Sequence, residues 1–414
     1  MVKHSVRFSL IFVLGVLLLT GSAMAREFVV GSQTDRSGPL QVVGVFFGDG
    51  FADYMKLFNK KQLLGPGNSI RVFEIDMGYN VPRSVEAYYR QKSEGAVSIS
   101  LLNTGSVKAL TPQFAQDQIL GSSPGFGSAD GANGKDFPFL FPMAASYWSQ
   151  AGAAMKFLMD THKGPGKPKI AFIYGDNPAG REPIPVLEKI AEQEGLELRQ
   201  YAVPAPYLDM RPQIVDIVRR YKADWVISHL FGPSPGLSIK ELKRYAFPID
   251  RMIAFVWAAG ESHIEAAGWD RAQGYYNMQF AHVGSSAANP NHPVLKEIVD
   301  MYKAEGREPP ESMNTSVYYN RGVMTAAVHA EAIRLAVEKH GADNVDSVRV
   351  KEGMERIRNF SLDGLFSPIN MSPEDHEGGG MIRVYQIKGN TYVAASDWFR
   401  GYRDVVADMV WKGR

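Results

Sequence analysis

The fold is decided by residues 28–76, which read FVVGSQTDRSGPLQVVGVFFGDGFADYMKLFNKKQLLGPGNSIRVFEID. Phe28–Gly31 is a short apolar run typical of a strand, and Ile70–Asp76 is a second one. Between them, Gly44–Gln62 carries large apolar residues at helical spacing on one face. These residues are Phe47, Phe51, Tyr54, Met55 and Phe58. A strand, a helix and a strand in this order predict two parallel strands covered by the helix.

The same alternation continues to residue 122 and begins again after the Pro- and Phe-rich segment Phe137–Met143. Further strands are predicted at Ala96–Leu102, Gln118–Ser122, Lys169–Tyr174, Glu197–Val203, Trp225–Leu230, Met252–Val256 and Gly274–Ala281. Further helices are predicted at Pro82–Ser93, Ser106–Ala115, Tyr147–Thr161, Pro185–Glu194, Met210–Tyr221, Ser238–Tyr245, Pro293–Glu305 and Ser316–Lys339. Ser367–Met371 and Met381–Ile387 are predicted as closing strands, and the tail Trp398–Arg414 as a short amphipathic helix. The pattern predicts an α/β protein with two mostly parallel sheets.

The first 25 residues have the layout of a secretory signal peptide. Lys3 and Arg7 lie in a basic segment, an uninterrupted apolar run follows from Phe8 to Leu19, and the segment closes on Ala23-Met24-Ala25. Small residues at these closing positions predict cleavage after Ala25. The apolar run is shorter than the roughly 20 residues that span a bilayer, which disfavours the alternative of an uncleaved anchor. We therefore expect a secreted, periplasmic protein.

Composition excludes several classes of function. The 414 residues contain 45 Lys and Arg against 44 Asp and Glu, a balance that argues against a nucleic-acid partner and against a polybasic membrane-surface protein. The chain has no Cys, which removes thiol catalysis and iron–sulfur clusters. The nine His residues show no metal-ligand spacing, so we expect no metal and no cofactor. The length favours about two domains.

Several short motifs stand in a characteristic order. Ser37-Gly38-Pro39-Leu40 follows the first strand, and Asp76 precedes Tyr79-Asn80-Val81-Pro82. Lys169–Gly175 opens the second half of the chain, and Ser367-Pro368-Ile369 comes near its end. In order and spacing, these motifs resemble the branched-chain amino-acid-binding type of periplasmic solute-binding protein, the capture subunit of an ABC importer.

The resemblance implies a type I periplasmic binding protein: two doubly wound parallel-sheet lobes joined by three hinge crossovers. It further implies a small-molecule solute held in the cleft by lobe closure, an ABC permease as the docking partner and a monomeric chain. The crossovers are expected near Phe141–Met143, Phe280–Gly284 and Gly364–Ser367. Lobe 1 is expected to contain residues 26–142 and 283–364, and lobe 2 residues 143–282 and 365–414. A ligand-sensing protein of the same fold, which presents its solute to a signalling receptor, is the alternative.

The loop between the strand at Ala96–Leu102 and the next helix is the main candidate site. In parallel sheets, ligands bind beyond the carboxyl ends of the strands, where loops lead into helix N-termini. Asn103, Thr104, Gly105 and Ser106 there offer free N–H groups and hydroxyls to a carboxylate. The alternative is an ordinary helix cap. The resemblance adds the Ser122 and Ser123 region as a further carboxylate contact.

One departure from the family bears on the solute. Family members that bind amino acids place an acid after the strand that matches Met252–Val256, where it pairs with the α-ammonium. This chain has Val256-Trp257-Ala258-Ala259 there, with no acid before Glu261. A buried ammonium without a carboxylate partner is costly, so a zwitterionic amino acid is disfavoured.

Apolar and cationic residues are instead the candidates for the rest of the cleft. Val42, Val43, Phe231 and Trp257 would line an apolar compartment, and Arg36 and Arg181 could meet an anionic end of the solute. Plain core packing is the alternative for Phe231 and Trp257. A solvated surface charge is the alternative for the two arginines.

One motif suggests an enzyme. Gly232-Pro233-Ser234-Pro235-Gly236 matches the Gly-x-Ser-x-Gly pattern of a hydrolase nucleophile elbow. That elbow needs the backbone N–H of the residue after the nucleophile, and Pro235 has none. A serine hydrolase at Ser234 is therefore a remote alternative, the segment is interpreted as a rigid loop leading to a helix, and we assign no catalytic residue.

Overall fold

The computed structural model describes residues 25–283 and 292–412. The predicted signal peptide, apart from Ala25, and the far end of the second expected crossover lie outside the described residues. Within them, the chain forms two separate sheets. The first sheet is wholly parallel. Its strands, in spatial order, are β2 (Ser69–Asp76), β1 (Glu27–Thr34), β3 (Ala96–Ser100), β4 (Leu120–Ser122) and β5 (Leu140–Phe141).

Helices connect the strands of the first sheet. They are α1 (Gln41–Lys60), α2 (Val81–Ser93) and α3 (Thr104–Asp117). Because β2 lies on one side of β1 and β3 on the other, the direction of winding reverses between β1 and β3. Such a reversal opens a crevice at the carboxyl ends of the two strands.

The second sheet has seven strands, of which five are parallel. In spatial order, the parallel strands are β7 (Glu197–Val203), β6 (Lys169–Gly175), β8 (Trp225–His229), β9 (Met252–Ala254) and β10 (Tyr276–Gln279). The antiparallel strands β11 (Arg383–Lys388) and β12 (Thr391–Ala394) extend the sheet beyond β10. Its helices are α4 (Tyr147–Thr161), α5 (Pro178–Arg181), α6 (Ile184–Glu194), α7 (Arg211–Val215), α8 (Ser234–Arg244) and α9 (Glu261–Ala267). This sheet reverses its winding between β6 and β8.

The chain passes between the two sheets three times: after β5, after β10 and before β11. Between the last two passages, it returns to the first sheet with α10 (Pro293–Ala304), α11 (Ser312–Thr315), α12 (Val317–His340) and α13 (Ser347–Glu355). Helix α12 packs against α1 and α13, and α13 packs against β3 and β4. The last helix, α14 (Arg403–Trp411), packs against α4 and α6. This is the two-lobed α/β architecture that the sequence predicts; the residue numbers at which the lobes divide stay a prediction.

Two glycines allow α1 and α12 to approach closely. A methyl group on Gly322 of α12 would overlap the carbonyl oxygen of Phe47, and one on Gly50 of α1 would overlap the carbonyl oxygen of Tyr319. The two backbones therefore touch where the helices cross. This contact holds the first turns of α12 at the inner edge of the first lobe.

The strand prediction is wrong at Ser367–Met371. Only a single bridge forms there, between Ile369 and Phe360. Pro368 has no N–H to donate to a ladder, which fits the absence of a continuous strand. Strands β5 and β12 were not predicted from the sequence. Among the described residues, no helix combines the length and the apolar character that crossing a membrane requires.

Candidate functional site

A cavity lies between the lobes, at the carboxyl ends of strands from both sheets. The space between its lining atoms is about 370 Å³, a volume that includes the open mouth of the cleft. The lining residues, which define the cleft cavity, are Leu40, Val43, Tyr79, Leu102, Asn103, Thr104, Phe126, Tyr147, Phe231, Gly232 and Trp257. Leu40 follows β1, Leu102 follows β3, and Phe231 follows β8, so the cavity lies at the winding reversals of both sheets. The side chains that line it carry no charge.

The loop after β1 is shaped by a buried carboxylate. Asp35 accepts hydrogen bonds from the backbone N–H groups of Gly38, at 2.6 Å, and Leu40, at 2.7 Å. Burial raises the pKa of Asp35, while these two N–H donors oppose that rise. The loop is thereby held in a tight turn, which sets Leu40 and Val43 against the cavity.

The amino-terminal end of α3 forms the polar side of the cleft cavity. Asn103 caps the helix, because its side-chain oxygen accepts the N–H of Ser106 at 3.0 Å. Its amide nitrogen also donates to the carbonyl of Tyr79 at 3.3 Å. Thr104 hydrogen-bonds the hydroxyl of Tyr147, whose pKa burial raises far above its ordinary value. Asn103 is therefore the helix cap that the sequence analysis gave as the alternative for this loop. Thr104 and Tyr147 present neutral polar groups to the cavity.

Among the other residues of the predicted carboxylate site, Ser106, Ser122 and Ser123 are buried and Gly105 is half-buried. Gly105, Ser106, Ser122 and Ser123 are not among the residues that line the cavity. The hydroxyls of Ser106 and Ser123 have no hydrogen-bond partner among the described residues.

Ser122 differs from its neighbours because its hydroxyl takes part in a core contact. Its oxygen lies 2.8 Å from Nε2 of His329. The other ring nitrogen of His329 lies 2.8 Å from the hydroxyl of Ser98. Burial lowers the pKa of His329 to about 3, so this Ser–His–Ser chain is neutral.

The second lobe contributes an aromatic wall. The indole N–H of Trp257 donates to the carbonyl of Gly125 at 3.0 Å, and its ring meets Phe126 edge to face at 6.0 Å. Phe231 packs against His229, with 4.8 Å between ring centroids. Burial lowers the pKa of His229 to about 3, which leaves this histidine uncharged. The wall is thus apolar, and the histidine packed against Phe231 is neutral.

Three residues predicted for the cleft lie outside the cavity lining. Arg36 pairs with Glu74 and Asp49, and Arg181 is 61% exposed and pairs with Asp176 at 2.6 Å. Val42 is 36% exposed. The alternative of a solvated surface charge fits Arg181, whereas the Arg36 side chain is only 34% exposed and is held by its two carboxylate partners.

A buried arginine that the sequence analysis missed lies behind the aromatic wall. The guanidinium carbon of Arg321, on α12, is 4.8 Å from the ring centroid of Trp257, 4.9 Å from that of Phe280 and 5.0 Å from that of Tyr318. One nitrogen, Nη2, donates to the side-chain oxygen of Gln279. Desolvation lowers the pKa of Arg321 to about 10, so the group stays charged near neutral pH. The signal in the sequence is a single charged residue in the segment 317–328, whose other residues are all uncharged.

Contacts across the cleft hold the two lobes together. Glu182, which follows α5, accepts the backbone N–H of Ala129 at 2.8 Å and pairs with Lys108 of α3 at 2.5 Å. Its side chain is 1% exposed. Glu182 belongs to the second lobe, whereas Lys108 and Ala129 belong to the first, so the lobes are closed over the cavity.

The serine of the hydrolase-like motif has a structural contact. Ser234 begins α8 and is fully buried. Its hydroxyl donates to the carbonyl of Tyr207 at 2.7 Å. The sequence analysis interprets this segment as a rigid loop leading to a helix. Ser234, Pro235 and Gly236 instead form the first turn of α8, which begins four residues earlier than predicted.

The profile of the family described as "Periplasmic binding protein" matches residues 27–391. The chain therefore belongs to this family, whose members are extracytoplasmic solute-binding proteins. None of the curated protein sequences matches the chain closely enough to count as a relative.

Solved structures with the same fold cover nearly the whole chain. One, named as an ABC transporter permease from the Pseudomonas fluorescens group, is 26% identical with a TM-score of 0.83, over 93% of this chain and 95% of that one. A branched-chain amino acid ABC transporter from Thermus thermophilus with bound valine is 21% identical with a TM-score of 0.79, over 94% and 100%. A fatty acid ABC transporter substrate-binding protein from Thermomonospora curvata is 17% identical with a TM-score of 0.75, over 92% and 94%. The predicted resemblance to branched-chain amino-acid-binding proteins is confirmed.

Proposed function

We propose that this protein is the solute-binding component of an ABC importer and that it captures a small carboxylate-bearing solute with an apolar or aromatic body. The observation that carries the proposal is the cleft cavity itself. It joins the amino-terminal end of α3 to an aromatic wall, and its lining holds neither an acid nor a base. Closure of the lobes removes the solute from water.

The end of α3 supports a carboxylate as the polar group of the solute. A helix N-terminus offers backbone N–H groups and a positive partial charge to an anion. The buried hydroxyls of Ser106 and Ser123 have no partner within the described chain and are donors that a nearby carboxylate could use. In this proposal, Thr104 and Gly105 bind the carboxylate through their N–H groups, with Ser106, Ser122 and Ser123 beside them and Arg181 outside the first contacts.

The aromatic wall supports an apolar body. Val43, Phe231 and Trp257 are each at most 5% exposed and line the cavity together. Burying apolar surface contributes about 25 cal/mol per Å². An α-ammonium enclosed among these side chains would have no carboxylate in the lining to pair with, which disfavours a free amino acid.

The fold alone is compatible with more than one solute. One structural neighbour is named for bound valine and another for a fatty acid. Both molecules have a carboxylate and an apolar body, and they differ in the ammonium. The proposed solute class therefore rests on the uncharged lining of this cavity and not on the neighbours.

Isothermal titration of the mature protein tests the proposal. The solutes are leucine, phenylalanine, benzoate and 3-phenylpropanoate. We expect an aromatic acid to bind and the amino acids to bind weakly or not at all. Tight binding of leucine with no response to the acids would refute the proposed solute class. The solute would then be a branched-chain amino acid, as the resemblance to the family implies.

A substitution in the aromatic wall tests where the solute lies. Trp257→Ala removes an aromatic contact that contributes about 0.5–1.5 kcal/mol beyond its burial, so it should weaken the bound acid at least tenfold once the lost burial is included. Trp411→Ala is the matched control, because Trp411 is 43% exposed on α14. Equal affinities of the two variants would place the solute elsewhere.

The proposed partner is a permease in the inner membrane that docks on the closed lobes, and the proposed location is the periplasm after cleavage at Ala25. A sensor of the same fold would use the same cleft and differ in its partner. Measuring uptake in cells that lack this protein separates the two roles, because only an importer component is needed for accumulation of the solute.

A further inference from the structure

Arg321 is the least satisfied charged group in the described part of the chain. Its side chain is fully buried. Of its three side-chain nitrogens, only Nη2 donates a hydrogen bond to another described residue; Nε and Nη1 have none. No carboxylate oxygen of the described residues lies within 4.0 Å of a guanidinium nitrogen of Arg321, the limit for an ion pair. Buried polar groups in proteins are normally hydrogen-bonded. A buried guanidinium with two unpaired nitrogens therefore points to a hydrogen-bond acceptor that the protein itself does not supply.

The surroundings of Arg321 hold it in place without neutralising it. Trp257, Phe280 and Tyr318 surround the guanidinium with ring faces, an attraction that still leaves N–H donors unused. Gln279 is itself fixed, because its amide nitrogen donates to Ala259 at 3.0 Å. Its oxygen is thereby turned toward Nη2 of Arg321.

Glu261 is the acidic residue whose negative charge acts on Arg321. Its charge favours the protonated form of Arg321. One of its oxygens accepts the backbone N–H of Val317 at 2.7 Å, at the start of α12. Glu261 therefore stabilises the charge from a distance and caps the helix, but it does not take up the unpaired N–H groups of the guanidinium.

Arg321 adjoins the cleft cavity on the same side as the end of α3. Trp257, whose ring lies against the guanidinium, lines the cavity. Tyr147 also lines it, and its hydroxyl both feels the positive charge of Arg321 and hydrogen-bonds Thr104. The buried cation and the positive end of α3 thus act on one region of the cavity.

We infer that Arg321 selects the charge of the solute: its buried positive charge, together with the positive end of α3, favours an anionic group at that end of the cavity and disfavours solutes that are neutral or zwitterionic there. This inference rests on the proposed function, because it takes the solute to occupy the cleft cavity. It adds a specificity residue on α12 and specifies that the solute carries an anionic group.

The experiment compares carboxylic acids with their uncharged primary amides. Isothermal titration of the mature protein uses benzoate with benzamide, 3-phenylpropanoate with 3-phenylpropanamide, and 4-methylpentanoate with its amide. Coulomb attraction between the desolvated guanidinium and a carboxylate in the adjoining cavity predicts that the wild type prefers the acid of a bound pair by about 10- to 100-fold. Arg321→Met should reduce that preference to less than threefold, mainly by weakening the acid.

Two further variants separate charge from packing. Arg321→Lys keeps the charge and should keep most of the preference for the acid. Arg334→Met is the control on the same helix, because Arg334 is half-buried at the surface and pairs with Glu331 at 2.7 Å; it should behave like the wild type. Thermal melting shows whether each variant is folded.

The outcomes distinguish this inference from the proposed function. If Arg321→Met weakens acid and amide by the same factor, Arg321 only supports the wall, and the inference fails while the proposed solute class stands. If the wild type binds the amides as tightly as the acids, the inference fails as well. If the wild type binds leucine and none of the acids, the proposed solute class itself fails.

Discussion

Replacing Glu182 by Gln should weaken solute binding without unfolding the protein. Glu182 joins the lobes through the N–H of Ala129, at 2.8 Å, and the ammonium of Lys108, at 2.5 Å. Glutamine keeps an acceptor for the N–H but loses the charge that strengthens both contacts. Because both contacts cross the cleft, we expect the loss to fall on the closed arrangement of the lobes.

The size of the effect follows from the burial of each partner. Glu182 is 1% exposed, but Lys108 is 42% exposed, so the ion pair is partly screened and contributes about 0.5–1 kcal/mol. Exchanging a charged for a neutral acceptor at Ala129 removes about 1 kcal/mol more. A total of about 1–2 kcal/mol changes the closed-to-open ratio by about 5- to 30-fold. The apparent affinity falls by the same factor when the open form prevails without solute.

A double-mutant cycle measures this contact. Titrations of Glu182→Gln, Lys108→Met and the double variant give the coupling between the two side chains, which we expect to be about 0.5–1 kcal/mol. Glu188→Gln is the control, because it makes the same change of charge on an exposed residue of α6. The reasoning is refuted if Glu182→Gln binds solute within twofold of the wild type, or if the two single changes are additive.

Three other predictions concern stability and processing. Burial lowers the pKa of His229, His263 and His329 to about 3, 4 and 3 from the ordinary 6.5, so the folded state binds fewer protons than the unfolded chain. Their contribution is fully present above pH 6.5 and is lost as the pH falls toward 3; urea unfolding should show the free energy of unfolding dropping by about 4–6 kcal/mol from pH 7 to pH 5, and a flat profile would contradict this. Gly322→Ala should destabilise by about 1–3 kcal/mol in thermal or urea unfolding, because its methyl group overlaps α1; stabilisation, which helix propensity alone predicts, would show that α1 moves aside. Sequencing of the secreted protein should find Arg26 at its N-terminus, and an intact Met1 on a membrane-bound chain would contradict cleavage.

The order of strands and helices could be predicted because it depends on local patterns. Apolar runs and helical spacing are set within about ten residues, so the alternation from β1 to β10, apart from the two-residue strand β5, is readable in the sequence. Strand β12 was missed because its residues are mostly exposed and it is held by pairing with β11. Ser367–Met371 has apolar residues in a pattern typical of a strand. Whether a partner strand lies beside it depends on distant parts of the chain, which local patterns do not reveal.

The candidate site also divides into residues that local sequence patterns predict and residues that only the folded chain reveals. Val43, Asn103, Thr104, Phe231 and Trp257 were predicted from the loops that follow strands, and all five line the cleft cavity. The rule that selects such loops could not find residues that reach the cavity in other ways. Tyr147, which begins α4 after the first crossover, lines the cavity, and Arg321 of the returning helix α12 lies behind the aromatic wall.

Helix α12 explains why these missed residues matter together. The glycine contact with α1 places its first turns at the inner edge of the lobe, where Tyr318 donates to the carbonyl of Trp257 at 3.0 Å. One turn later, Arg321 lies against the same indole ring. The packing that stabilises the first lobe therefore also positions the aromatic wall and its charge. A change at Gly322 that spares the fold should still alter solute affinity, because α12 cannot move without moving Tyr318 and Arg321.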